Sequence, residues 1–90
     1  MQVPPSFAER LLLARRRAGI EQRQLGKKVG LTGYTIGRLE RGQTTQISIE
    51  ALRQLAHTLG VTTDWLLAMD TLEEDPTKEE AEDLIAAPHV

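Results

Sequence analysis

Apolar residues recur along the chain at the three- and four-residue spacing of helices. Phe7, Leu11, Ala14 and Ala18, joined by Leu12, make the first stripe. Ser6 and Glu9 precede it at capping-box spacing, behind a short lead-in carrying Pro4 and Pro5, and Gly19 ends it. The basic run 15–17 falls in its last turn, where cations suit the helix dipole. Leu25 and Val29 are an i, i+4 pair that predicts a second helix over 22–29, stopped by Gly30. Thr32 is an N-cap for a third helix reaching to about Glu40, with Gly42 as terminator. Ser48 opens a fourth over 49–59 that buries Leu52, Leu55, Ala56 and Leu59 and ends at Gly60. Thr62 or Thr63 caps a short fifth through Trp65, Leu66 and Leu67. No run alternates as a strand does, and nothing repeats. The predicted fold is all-α with five helices.

After Met69 the pattern changes. Residues 71–76 read as a solvated linker, and 77–87 as a possible sixth short helix with a thin apolar face of Ala81, Leu84 and Ile85. Charge divides at the same place. Residues 1–69 carry ten Lys/Arg against five Asp/Glu, whereas 70–90 carry Lys78 against eight acids. A domain over 6–69 with an acidic tail over 70–90 describes the chain better than its net charge of −2. The basic body suits a polyanionic partner without requiring one.

Composition narrows the chemistry. The 90 residues are 40% hydrophobic but only 3% aromatic, so aliphatic side chains must fill the core. With no cysteine, disulfide scaffolds, zinc fingers and thiol catalysis are excluded. His57 and His89 stand too far apart to suggest a metal pair. No nucleophile–base pair or phosphate loop is recognisable, so neither an enzyme nor a metal or cofactor site is expected. The run Leu11-Leu12-Leu13-Ala14 is far too short to cross a membrane, and a soluble cytoplasmic protein is the expectation.

The second and third helices, joined through Gly30, have the proportions of a helix-turn-helix. At about 100° per residue, Gly33, Gly37, Arg41, Tyr34 and Arg38 share one arc of the third helix, opposite Ile36 and Leu39. Two readings stand. The arc is either the solvated side of an amphipathic helix or a surface that reads DNA, with Arg38 bonding a guanine edge and Tyr34 a phosphate or thymine methyl. Gly33 and Gly37 each cost about 1 kcal/mol relative to Ala within a helix, and on an outward arc they gain no packing. Either they let the backbone approach DNA, or the helix is simply weak. Gln22, in the first turn of the second helix, is either solvated or adds a phosphate contact beside free backbone N–H groups.

The stretch QRQLGKKVGLTGYTIGRLERG over 22–42 resembles the helix-turn-helix of the phage repressor and Cro family, the XRE-like regulators. The resemblance extends over about 6–69, including LRQLAHTLG at 52–60 and VTTDWLL at 61–67. It implies a five-helix, lambda-repressor-like domain that docks its third helix in the major groove, usually as a homodimer on a near-palindromic operator. Gln22 then matches a phosphate-contacting position, Gly33, Tyr34 and Arg38 match base-facing ones, and Thr32 opens the recognition helix. Arg41 and Gln43 fall where the family contacts the DNA backbone. Arg15 and Glu40 match a partly buried ion pair between the first and third helices. Three departures stand out. Gly26 replaces the usual Ala, Glu21 replaces a Ser or Thr cap, and Gly33 and Gly37 occupy positions often held by polar contact residues. The implied function is a transcriptional regulator of double-stranded DNA, a repressor in the first instance. The alternative is an antitoxin that binds DNA through the same domain and a toxin through its acidic tail. That tail is otherwise a solubilising segment, a dimer contact through Leu72, Leu84 and Ile85, or a competitor for the basic face.

Overall fold

The computed structural model describes residues 1–72. Six helices follow in order: α1 (Ser6–Ala18), α2 (Gln22–Val29), α3 (Gly33–Glu40), α4 (Ile49–Leu59), α5 (Thr63–Leu66) and α6 (Met69–Leu72). The local signals that start them are side-chain oxygens. Thr32 accepts from the Thr35 N–H at 3.1 Å, Ser48 from Ala51 at 3.0 Å and Thr62 from Trp65 at 3.0 Å. Glycines 19, 30 and 60 end α1, α2 and α4 in the left-handed conformation that only they adopt cheaply.

Phe7, Leu11, Leu25, Ile36, Leu39, Leu55 and Leu66 form the fully buried centre, so α1 to α5 each contribute to one core. Around it lie the smaller Ala14, Ala51 and Ala56, which let the helices approach. Expected positions Leu52 and Leu59 are also buried, but Ala18 is exposed and Leu12 only half-buried. The buried stripe of α1 is thus shorter than its spacing predicts and ends at Ala14.

The amino-terminal residues differ from the expected lead-in. The Val3 N–H donates to the Thr45 carbonyl at 2.8 Å and Ile47 to Met1 at 2.9 Å, pairing Gln2 with Gln46 as an isolated antiparallel bridge. Val3 and Ile47 are buried by this pairing. The capping box expected at Ser6 does not form: Pro5 is the N-cap, and the helix begins without a side-chain cap. Proline suits that place because it has no N–H to leave unsatisfied.

The other departure is at the far end. Residues 71 and 72, expected as linker, belong to α6, which turns back through Ala68 at φ 57°. That turn brings Asp70 to Arg10, whose guanidinium donates to both carboxylate oxygens at 2.7 and 3.1 Å and to the Trp65 carbonyl at 2.7 Å. The guanidinium also lies 5.2 Å from the Trp65 ring centre. One α1 arginine therefore ties α5 and α6 to the core. The helix expected over 77–87 lies outside the described residues.

Candidate nucleic-acid interface

The mutual position of α2 and α3 is set by missing side chains. A Cβ on Gly26 would lie 2.6 Å from the carbonyl carbon of Thr32, and one on Gly33 would lie 2.9 Å from the Cα of Arg23. The first turn of α3 is seated directly on α2, closer than a side chain at either glycine would allow without a shift. Gly33 is therefore a packing residue. Gly37 is buried too, but beneath the ends of the Arg41 and Gln22 side chains, with no backbone of another element against it. The expectation that both glycines stand outward without packing is corrected. Helical spacing defines an arc, but the crossing of α2 covers the glycine part of it.

The rest of that arc is open. Tyr34 is 71% exposed, and the Arg38 guanidinium lies 5.8 Å from its ring centre. Arg38 also reaches the Gln43 carbonyl at 3.4 Å, a long contact, while the Gln43 N–H donates to the Arg38 carbonyl at 2.9 Å. Gln43 is thereby fixed beside the end of α3, where Arg41 and Gln43 are both exposed. Thr32 is exposed too, but its hydroxyl serves the cap and pairs with the Thr35 hydroxyl at 3.0 Å.

Glu40 organises the side of α3 nearest α1 and α2. Its carboxylate, 3% exposed, accepts from Nε and, at 3.1 Å, from Nη2 of Arg15. It also accepts from the Gln22 amide at 2.9 Å. The Arg15 guanidinium spends its remaining reach on the Ile20 carbonyl at 3.0 Å. The ion pair inferred from the resemblance is therefore present, and Gln22 joins it. At the start of α2 the Glu21 N–H donates to Gln24 Oε1 at 3.1 Å, a reciprocal cap that offsets the loss of a Ser or Thr.

Residues 11–66 match the helix-turn-helix family model. The chain belongs to the helix-turn-helix family, of the phage-repressor and Cro type. Among solved structures it is 33% identical to the phage P22 c2 repressor, determined in complex with a synthetic operator. That match has a TM-score of 0.64 and covers 74% of this chain and 96% of the repressor. Hydroxypropylphosphonic acid epoxidase from S. wedmorenis is 26% identical over 73% of this chain, with a TM-score of 0.65, but only 35% of the epoxidase is covered. The SinR–SinI complex shares the fold at 23% identity and a TM-score of 0.65, covering 90% of this chain and 80% of that one.

Sequence reasoning found the pieces of this surface but missed Arg10. Its partners lie 55 and 60 residues away, and no local spacing signals them. No helix among the described residues is long and apolar enough to cross a membrane.

Proposed function

We propose that the chain is a non-enzymatic, cytoplasmic transcriptional regulator, in the first instance a repressor, that binds double-stranded operator DNA with α3 in the major groove. The observation that carries this is the open arc of α3, where exposed Tyr34 and the Arg38 guanidinium stand together beside Arg41 and Gln43. Among the described residues Arg38 and Arg41 form no ion pair with a carboxylate, so both charges are available to an anionic partner. Base-edge contacts come from Arg38 and Tyr34; phosphate contacts come from Gln22, Arg41 and Gln43. Gly33 contributes the seat of the helix and Thr32 its cap, while Gly37 lies beneath the Gln22 and Arg41 side chains.

The protein acts as a homodimer on two half-sites about one helical turn, roughly 34 Å, apart. Selection from a random duplex pool at stated salt tests this: a palindromic product supports dimeric DNA reading, and no enrichment overturns it. The −7 balance of residues 70–90 against the basic body supports a protein partner at the tail. Co-purification with a neighbouring gene's product would assign that partner as a toxin. Isolation of the homodimer alone would favour the solitary regulator.

A further inference from the structure

The connector over 43–47 leaves α3 through a glycine turn and is held at both ends. At its start Gly42, at φ 69°, donates to the Leu39 carbonyl at 3.2 Å, and the Gln43 N–H donates to the Arg38 carbonyl at 2.9 Å. At its far end stand the two bonds to the amino-terminal segment, from the Val3 N–H to the Thr45 carbonyl and from the Ile47 N–H to the Met1 carbonyl. Among the described residues these are the main-chain hydrogen bonds of 44–47. Between the segment and the end of α3 lies an open hollow of about 390 Å³, lined by Val3, Pro4, Leu39, Gly42 and Thr45. Packing does not fill that space, so the two bonds fix the course of the connector.

That course matters at Gln43. Its carbonyl accepts from the Arg38 guanidinium at 3.4 Å, and the Tyr34 ring centre lies 5.8 Å from the same guanidinium. The ring is carried by α3 itself; the carbonyl is carried by the connector. At its length the contact orients the guanidinium more than it binds it, and leaves other N–H groups free for a base.

We propose that Val3 is a positioning residue for Arg38. Through the Thr45 carbonyl it holds the connector, the connector holds the Gln43 carbonyl, and that carbonyl steadies the guanidinium that reads a base. This rests on the DNA-binding reading above. A long arginine side chain loses rotamer freedom when it docks on a base edge, and an acceptor fixed beforehand reduces that cost. The amino-terminal segment thereby sets base discrimination through Arg38 rather than through a contact of its own.

The readout is the ratio of affinities for the selected and the random duplex, taken at one salt concentration. Val3→Pro removes the N–H and should lower that ratio about fivefold, part of the discrimination that a bidentate base contact supplies. The drop should vanish in an Arg38→Ala background. Val3→Gly keeps the donor but loosens the segment, and should give a smaller drop of the same kind where the proline variant does not fold. Val61→Ala trims a side chain packed against the core away from the bridge, and should lower the melting temperature while keeping the ratio. The chain has no cysteine, so Gln2→Cys with Gln46→Cys, directly opposed in the bridge, gives a single disulfide. Added to Val3→Pro, this pair should restore the ratio when oxidised and lose it again on reduction. An unchanged ratio for the Val3 variants, a drop that persists without the Arg38 guanidinium, an equal drop for Val61→Ala, or a disulfide that restores nothing would overturn the proposal. If the unaltered protein enriches no duplex, the DNA-binding reading itself falls; an enriched duplex whose ratio ignores Val3 overturns only the role given to Val3.

Discussion

No side chain fits between Gly26 and Thr32: a Cβ on the glycine would meet the threonine carbonyl carbon at 2.6 Å and its oxygen at 2.9 Å. Both groups are main chain, so neither can swing aside. Gly26→Ala should therefore destabilise the protein by about 1–3 kcal/mol through overpacking, outweighing the roughly 1 kcal/mol that Ala gains in a helix. Gly33→Ala should act in the same direction, since its Cβ would lie 2.9 Å from the Arg23 Cα. Denaturant unfolding midpoints check both. An alanine at position 26 that raises the midpoint would show that α2 and α3 are not so tightly seated.

The Arg15–Glu40 pair should behave as a buried pair does when halved. Arg15→Ala strands a carboxylate that is 3% exposed, and a loss of about 3 kcal/mol is expected. Replacing both residues with apolar ones of similar volume should cost much less, because the pair's net contribution is small once its desolvation is counted. Chemical denaturation of the single and double variants measures the difference. A double variant as unstable as the single one would contradict this.

Asp70 gives a pH dependence whose sign follows from its partner. The hydrogen bond from Arg10 holds its carboxyl below the usual carboxylate range, despite some opposing desolvation. Its contribution is therefore complete above the unfolded-state value, near 3.9, and is lost as pH falls through the lower folded value. An NMR titration of the Asp70 carboxyl should give a midpoint below 3.8, its ordinary value. Arg10→Ala should return that midpoint to normal. An unshifted midpoint in the unaltered protein would mean that α6 is not held by this contact.

The helices were legible because their signals are local. Thr32, Ser48 and Thr62 start elements, and Gly19, Gly30 and Gly60 stop them, whatever surrounds them. The family pattern pointed further, to the contact between Arg15 and Glu40 across 25 residues of sequence. What was not legible depends on the crossing of distant segments. The pairing of Gln2 with Gln46, the tether from Arg10 to Asp70 and the burial of Gly37 each need the tertiary arrangement before they have meaning. Gly33 shows the limit most clearly: a helical projection puts it beside Tyr34, yet one faces the α2 backbone and the other stands open.

Arg38 carries the central claim, and its substitution tests that claim most directly. The measurement is binding of Arg38→Ala to the selected duplex and to random duplex, with base preference profiled at the same salt. A loss of about 1–3 kcal/mol on the selected site, with preference relaxed at one position in each half-site, is the predicted result. An equal loss on selected and random duplex, with the preference profile unchanged, would contradict base reading by α3.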